Sequence, residues 1–194
     1  EASVEMLQLI EALGGMDVYI HVAGIGYENL SLDPDRETAI IDTNATGFAR
    51  MIDTAYRYMR SNGIKGHIAA ITSVAGTNGI GRLSAYSASK RFGQTYLVAL
   101  EQLARMERSG IRFTDIRPGW TDTPLLVPGL KYPMEMPAGY VATEILRAIV
   151  RRRRVAVIDW RWNLAVGLWR LVPNALWTRI PLRISMPDAK LPPA

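Results

Sequence analysis

Cysteine is absent from all 194 residues. That excludes disulfides, thiol nucleophiles and thiolate metal sites, and it fits a reducing compartment such as the cytoplasm. Histidine is scarce: only His21 and His67 occur. A histidine-based metal cluster is therefore not expected, and no metal ligands are assigned. No apolar run reaches the ~18 residues expected of a membrane-spanning helix. A Gly-x-Gly-x-x-Gly loop, which would cradle a pyrophosphate, is also missing. Acidic residues number 18 against 23 basic ones, a net charge of +5. The excess is local, beginning at Arg151–Arg154 and continuing toward the C-terminus. What remains is an ordinary globular composition, long enough for one domain with a substantial core.

Periodicity divides the chain into alternating helices and strands. Val4, Leu7, Ile10 and Leu13 share one helical side over Ser3 to Leu13, stopped by Gly14-Gly15. Asp17 to Val22 reads as a strand. Asp33 as N-cap and Pro34 at the first helical position open a helix running to about Arg60. Its apolar face holds Ile40, Ile41, Phe48, Met51, Ile52 and Ala55, with Asn44 inside the stripe. His67 to Thr72 is a short buried strand running into Ser73. Ile111 to Ile116 is another strand, Ala138 to Arg151 a helix, and Val155 to Asp159 a final strand.

Tyr86-Ser87-Ala88-Ser89-Lys90 stands at the start of a long helix, with Ser84 as a plausible N-cap and Phe92, Leu97, Leu100 and Leu103 as its apolar stripe. Residues i and i+4 share a face, so Tyr86 and Lys90 project side by side. A free phenol has a pKa of about 10, and a neighbouring ammonium favours the phenolate. Alone the pair is weak evidence, since tyrosine and lysine suit helices generally. Ser73, thirteen residues before the tyrosine, strengthens it. It sits at the carboxyl end of a strand, where open α/β sheets place their ligands.

This set resembles the active site of the short-chain dehydrogenase/reductase family. The resemblance extends to about residue 159. His21-Val22-Ala23-Gly24 matches the family's Asn-Asn-Ala-Gly, Asn44 matches the helix asparagine of its tetrad, and Pro118-Gly119-Trp120-Thr121-Asp122-Thr123 matches its Pro-Gly-x-x-x-Thr segment. It implies an α/β fold: a Rossmann-like, doubly wound parallel sheet of which residues 1–159 are the C-terminal part, strands 4 to 7 with their helices. The family's earlier strands carry the glycine-rich pyrophosphate loop and the residue that chooses NAD or NADP. Their absence here marks the chain, on this reading, as part of a longer protein.

The resemblance further implies an oxidoreductase acting on a small carbonyl or alcohol with NAD or NADP. Asn44, Ser73, Tyr86 and Lys90 would be catalytic. Tyr86 would be the acid/base, Ser73 would hold the same substrate oxygen, Lys90 would hold the ribose and lower the tyrosine's pKa, and Asn44 would complete a water relay. On spacing alone Asn44 equally fits a satisfied core asparagine. Ala23, Gly24, Pro118, Gly119, Thr121 and Thr123 would join Tyr86 and Lys90 at the cofactor. His21 and Val22 depart from the two asparagines, and valine cannot make the backbone bonds that steady the family's strand. The same resemblance implies a homo-oligomer, with Gly47 and Gly93 allowing close helix approach between subunits or packing inside one.

Other chemistries fit less well. Ser87-x-x-Lys90 lacks the Ser-Asp-Asn and Lys-Thr-Gly partners of penicillin-binding enzymes, and Ser73 lacks a Gly-x-Ser-x-Gly elbow. A catalytically inactive scaffold of the same fold is the alternative function. Pro124 to Pro137 reads as a substrate loop, and with Trp120 and the Thr77–Ile80 loop it borders an apolar pocket. Residues 160–194 form a Trp/Arg-rich extension in which Trp160, Trp162, Trp169 and Trp177 alternate with Arg161, Arg170, Arg179 and Arg183. Three readings fit it: packing on the domain or a second subunit, peripheral membrane contact through 160–183, or a cap on the pocket. Nucleic acid is not an expected partner, since no basic groove or recognition motif accompanies the arginines.

Overall fold

The computed structural model describes residues 1–126 and 129–182. Arg183 and the rest of the extension, and two residues of the expected substrate loop, lie outside the described residues. Four strands form a parallel sheet in the order β1-β2-β3-β6: β1 (Val18–His21), β2 (His67–Ile71), β3 (Arg112–Arg117) and β6 (Val155–Val157). Two further strands, β4 (Thr121–Asp122) and β5 (Met136–Pro137), pair separately.

Alternation along β2 splits the core in two. Ile68 and Ala70 face α1 (Ala2–Ala12), α3 (Phe48–Ser61) and α4 (Ser84–Met106), while Ala69 faces α5 (Ala138–Val150) and α6 (Trp160–Leu171). β1 is an edge strand whose Val18 and Ile20 remain exposed on the α5 side. Gly93 of α4 packs inside the chain: a Cβ there would meet the Phe48 ring at 3.4 Å.

The expected helix from Pro34 to Arg60 is interrupted. α2 (Pro34–Ile41) passes through a π-helical stretch, Asp42–Gly47, before α3 begins. Such bulges are frequent at functional sites, and Asn44 lies inside this one. Asp33 caps α2 as expected, accepting from the Arg36 N–H at 3.0 Å. Ile41 is exposed, not core, while its neighbour Ile40 is buried.

Ser84 is not the N-cap of α4. It is the helix's first residue, and the cap comes from Glu37 of α2, whose Oε2 accepts from the Ser84 hydroxyl at 3.0 Å and the Ala85 N–H at 3.2 Å. A carboxylate at a helix N-terminus satisfies orphan N–H groups and suits the dipole.

Candidate active site

β2 delivers Ser73 to the carboxyl edge of the sheet. Its extended backbone turns into a short 3-10 segment, Val74–Gly76, and its Oγ accepts from the Ala75 N–H at 3.1 Å. The same hydroxyl reaches the Pro118 carbonyl at 3.4 Å. It also lies beside the phenol of Tyr86 and pulls that phenol's pKa down. Burial is the larger effect, so Tyr86 titrates above the ordinary tyrosine value.

The expectation is a phenol lowered by the Lys90 ammonium; burial leaves it raised instead. Lys90 Nζ sits over the Tyr86 ring, 5.5 Å from its centroid, and donates to the Ile71 carbonyl at 3.2 Å. Its position favours the π-face, away from the phenolic oxygen. Lys90 is itself pulled to about 8 by burial, against the opposing charge of Asp115.

Asn44 is buried and fully engaged. Its Oδ1 accepts from the Ile25 N–H at 2.8 Å, and its Nδ2 donates to the Ile25 carbonyl at 2.6 Å and the Ser89 Oγ at 3.2 Å. The side chain thus pins the loop that follows β1. That pinning sets two close approaches. A Cβ on Gly24 would lie 3.2 Å from Lys90 Nζ, and one on Gly26 would lie 2.6 Å from Tyr86 Cδ2. Ala23 and Gly24 themselves are exposed at the carboxyl end of β1.

The Pro118-Gly119 turn touches Ser73 through the Pro118 carbonyl, which also accepts from the Val74 N–H at 3.1 Å. Thr121 Oγ1 donates to the Gly119 carbonyl and Thr123 Oγ1 to the Thr121 carbonyl, at 3.2 and 3.3 Å. Thr123 lines a cavity of about 400 Å³ with Asp122, Pro124, Leu126, Tyr132 and Glu135. Ala75, Ile80 and Leu83 form an apolar wall against which Tyr86, Trp120 and Leu182 pack.

Four features escape a reading of the sequence. Gln94 donates to the Ser73 carbonyl at 2.7 Å; its place four residues after Lys90, inside the apolar stripe, was the available signal. His21, standing for the family's first asparagine, is buried with Nδ1 3.0 Å from the Tyr19 hydroxyl and its ring edge-on to Phe48. Burial chiefly, then Lys90, lowers its pKa to about 4, so it is neutral near pH 7. Asp115 accepts from Thr72 at 2.5 Å and pairs with Arg117 through Nε at 2.8 Å, all three buried beneath the site. Trp162 of the extension lies against Gly119.

The short chain dehydrogenase family model matches residues 2–129. An uncharacterized oxidoreductase of Myxococcus xanthus is 29% identical over 182 residues, covering 91% of this chain and 70% of that protein. The bovine dehydrogenase/reductase SDR family member 7B is 31% identical over 182 residues, and this chain spans 55% of its length. Among solved structures, a short chain dehydrogenase from Burkholderia cenocepacia in complex with NADP aligns at a TM-score of 0.77 with 17% identity, over 93% of this chain and 75% of that one. The bulky-bulky ketone specific alcohol dehydrogenase of Comamonas testosteroni aligns at 0.67 with 19% identity, over 95% and 71%. The matched family model and the α/β fold lead to one conclusion: the chain belongs to the short-chain dehydrogenase family of oxidoreductases.

Proposed function

We propose that this chain carries the catalytic part of an NAD- or NADP-dependent reductase or dehydrogenase acting on a carbonyl/alcohol pair. The observation that carries the reading is the placement of the Ser73 hydroxyl beside the Tyr86 phenol at the carboxyl edge of the sheet, with Lys90 Nζ over the ring. The residues fit the nicotinamide end of the cofactor. Exposed Ala23-Gly24 offers backbone where a Cβ would crowd Lys90, and Thr123 borders an open cavity. A bound nicotinamide supplies or takes the hydride.

Reduction builds negative charge on the substrate oxygen. Tyr86 donates its proton to that oxygen, and Ser73 donates a hydrogen bond that orients it. A phenol whose pKa lies above its ordinary value holds its proton until that charge develops. Lys90 holds the ribose side, and an Asn44 fixed by Ile25 keeps the loop in register with it. The apolar wall of Ala75, Ile80, Leu83 and Trp120 favours an apolar carbonyl compound.

Tyr86→Phe in the full natural protein tests this. Turnover should fall by about 10²–10⁴-fold, while reduced cofactor still binds by fluorescence titration. A variant keeping a tenth of the rate would remove Tyr86 from the reaction.

A further inference from the structure

The outer face of the C-terminal extension has no role in the redox reading. On α6, Trp160, Leu164, Leu168 and Leu171 recur at i, i+4, i+8 and i+11, and all are more than half exposed, Trp160 at 73% and Leu171 at 78%. Trp160, Leu164 and Leu168 line a shallow groove of about 350 Å³ with Asn163 and Gly167. Leu176, on α7 (Asn174–Trp177), and Ile180 extend the exposed apolar surface. The inner face is spent on the domain. Trp162 and Val166 are buried, Trp177 Nε1 donates to the Gly79 carbonyl at 2.6 Å, and Asn78 Nδ2 donates to the Trp169 carbonyl at 3.0 Å.

The charge around this face is mostly basic, the exception being Asp159, which caps α6 and pairs with Arg161 at 2.9 Å. From Trp160 to Pro187 the sequence holds four arginines and no acidic residue. Arg151, Arg152 and Arg153, at the end of α5, are exposed. Among the described residues no helix is long and apolar enough to cross a membrane. An apolar stripe of Trp and Leu, flanked by arginines and backed by a rigid domain, has the composition of an interfacial helix.

We infer that α6 and α7 rest on an anionic lipid surface, with Trp160, Leu164, Leu168 and Leu171 in the headgroup–acyl boundary. Charge decides between lipid and a second copy of this chain. A two-fold contact would bring two basic surfaces together, whereas anionic headgroups neutralise them. Position agrees. α6 follows β6, at the opposite edge of the sheet from β1, so the unpaired edge of β1 lies away from this face. Because the inner face grips loops beside Tyr86, docking brings the apolar wall close to lipid. That corollary rests on the redox reading; the docking does not.

The test is vesicle flotation of the full natural protein. It should float with vesicles of equal parts phosphatidylserine and phosphatidylcholine, far less with phosphatidylcholine alone, and lose binding as salt rises. Leu164→Glu with Leu168→Glu should weaken partitioning at least about tenfold. Tyr86→Phe should float as the natural protein does, so loss of the redox reading leaves this result untouched. In the natural protein, brominated lipid should quench tryptophan emission, and Trp160→Phe should remove most of that quenching, a readout independent of how the glutamate variant folds. Absence of flotation on anionic vesicles overturns the inference. So does a glutamate variant that floats unchanged but halves its solution mass, which would assign the face to a second copy.

Discussion

The indole of Trp162 occupies the space a side chain would need at Gly119: a Cβ there would fall 2.1 Å from Trp162 Cε2. The contact fastens the extension to the Pro-Gly turn, and the indole Nε1 donates onward to the Met134 carbonyl at 3.2 Å. Gly119→Ala should therefore cost about 1–3 kcal/mol by overpacking. The same substitution in a Trp162→Ala background should cost almost nothing, because the clash is gone. Urea unfolding of the four proteins in a double-mutant cycle measures the coupling. Additive costs would mean that the indole swings away freely.

Asn44 acts on Ile25 through both ends of one carboxamide. Asn44→Ala leaves the Ile25 N–H and C=O without that partner, a cost of about 1–3 kcal/mol. Asn44→Asp keeps the acceptor but presents a carboxylate to the Ile25 carbonyl, so it should not rescue. The specific readout is hydrogen exchange at the Ile25 amide, which should accelerate in the alanine variant. An amide that stays protected would assign the clamp elsewhere.

How far the sequence reveals this site depends on distance along the chain. Tyr86 and Lys90 are legible because a helix fixes i and i+4 on one face, and Asp33-Pro34 because capping is local. Parallel strands with helical crossovers are legible from the alternation of periods alone. Glu37 capping α4 joins residues 47 apart, and Asn44 finds Ile25 across 19. No local pattern encodes such bonds, which is why Ser84 looked like the cap. The direction of the Tyr86 pKa was misjudged for a related reason. Spacing places an ammonium near a phenol, but tertiary packing decides how deeply the phenol is buried and which part of it the ammonium meets.

On the proposed function, Lys90 carries a conflict between stability and chemistry. Burial lowers its pKa from 10.5 to about 8, with Asp115 opposing. Between those values the unfolded chain holds more protons than the folded one, so stability should rise with pH across that window. Below about 8 the folded protein bears the full cost of a buried ammonium, and above 10.5 it bears none. Lys90→Met keeps the length and removes the charge while losing the bond to the Ile71 carbonyl. Near neutral pH, without cofactor, the variant should be more stable by on the order of 2 kcal/mol, an advantage fading as pH rises through the window. Turnover should be lost, as expected where a strained polar group serves chemistry at the expense of the fold. Urea midpoints measured across that pH range decide the matter: a methionine variant weaker than the natural protein near neutrality would show that the ammonium is not a burden there.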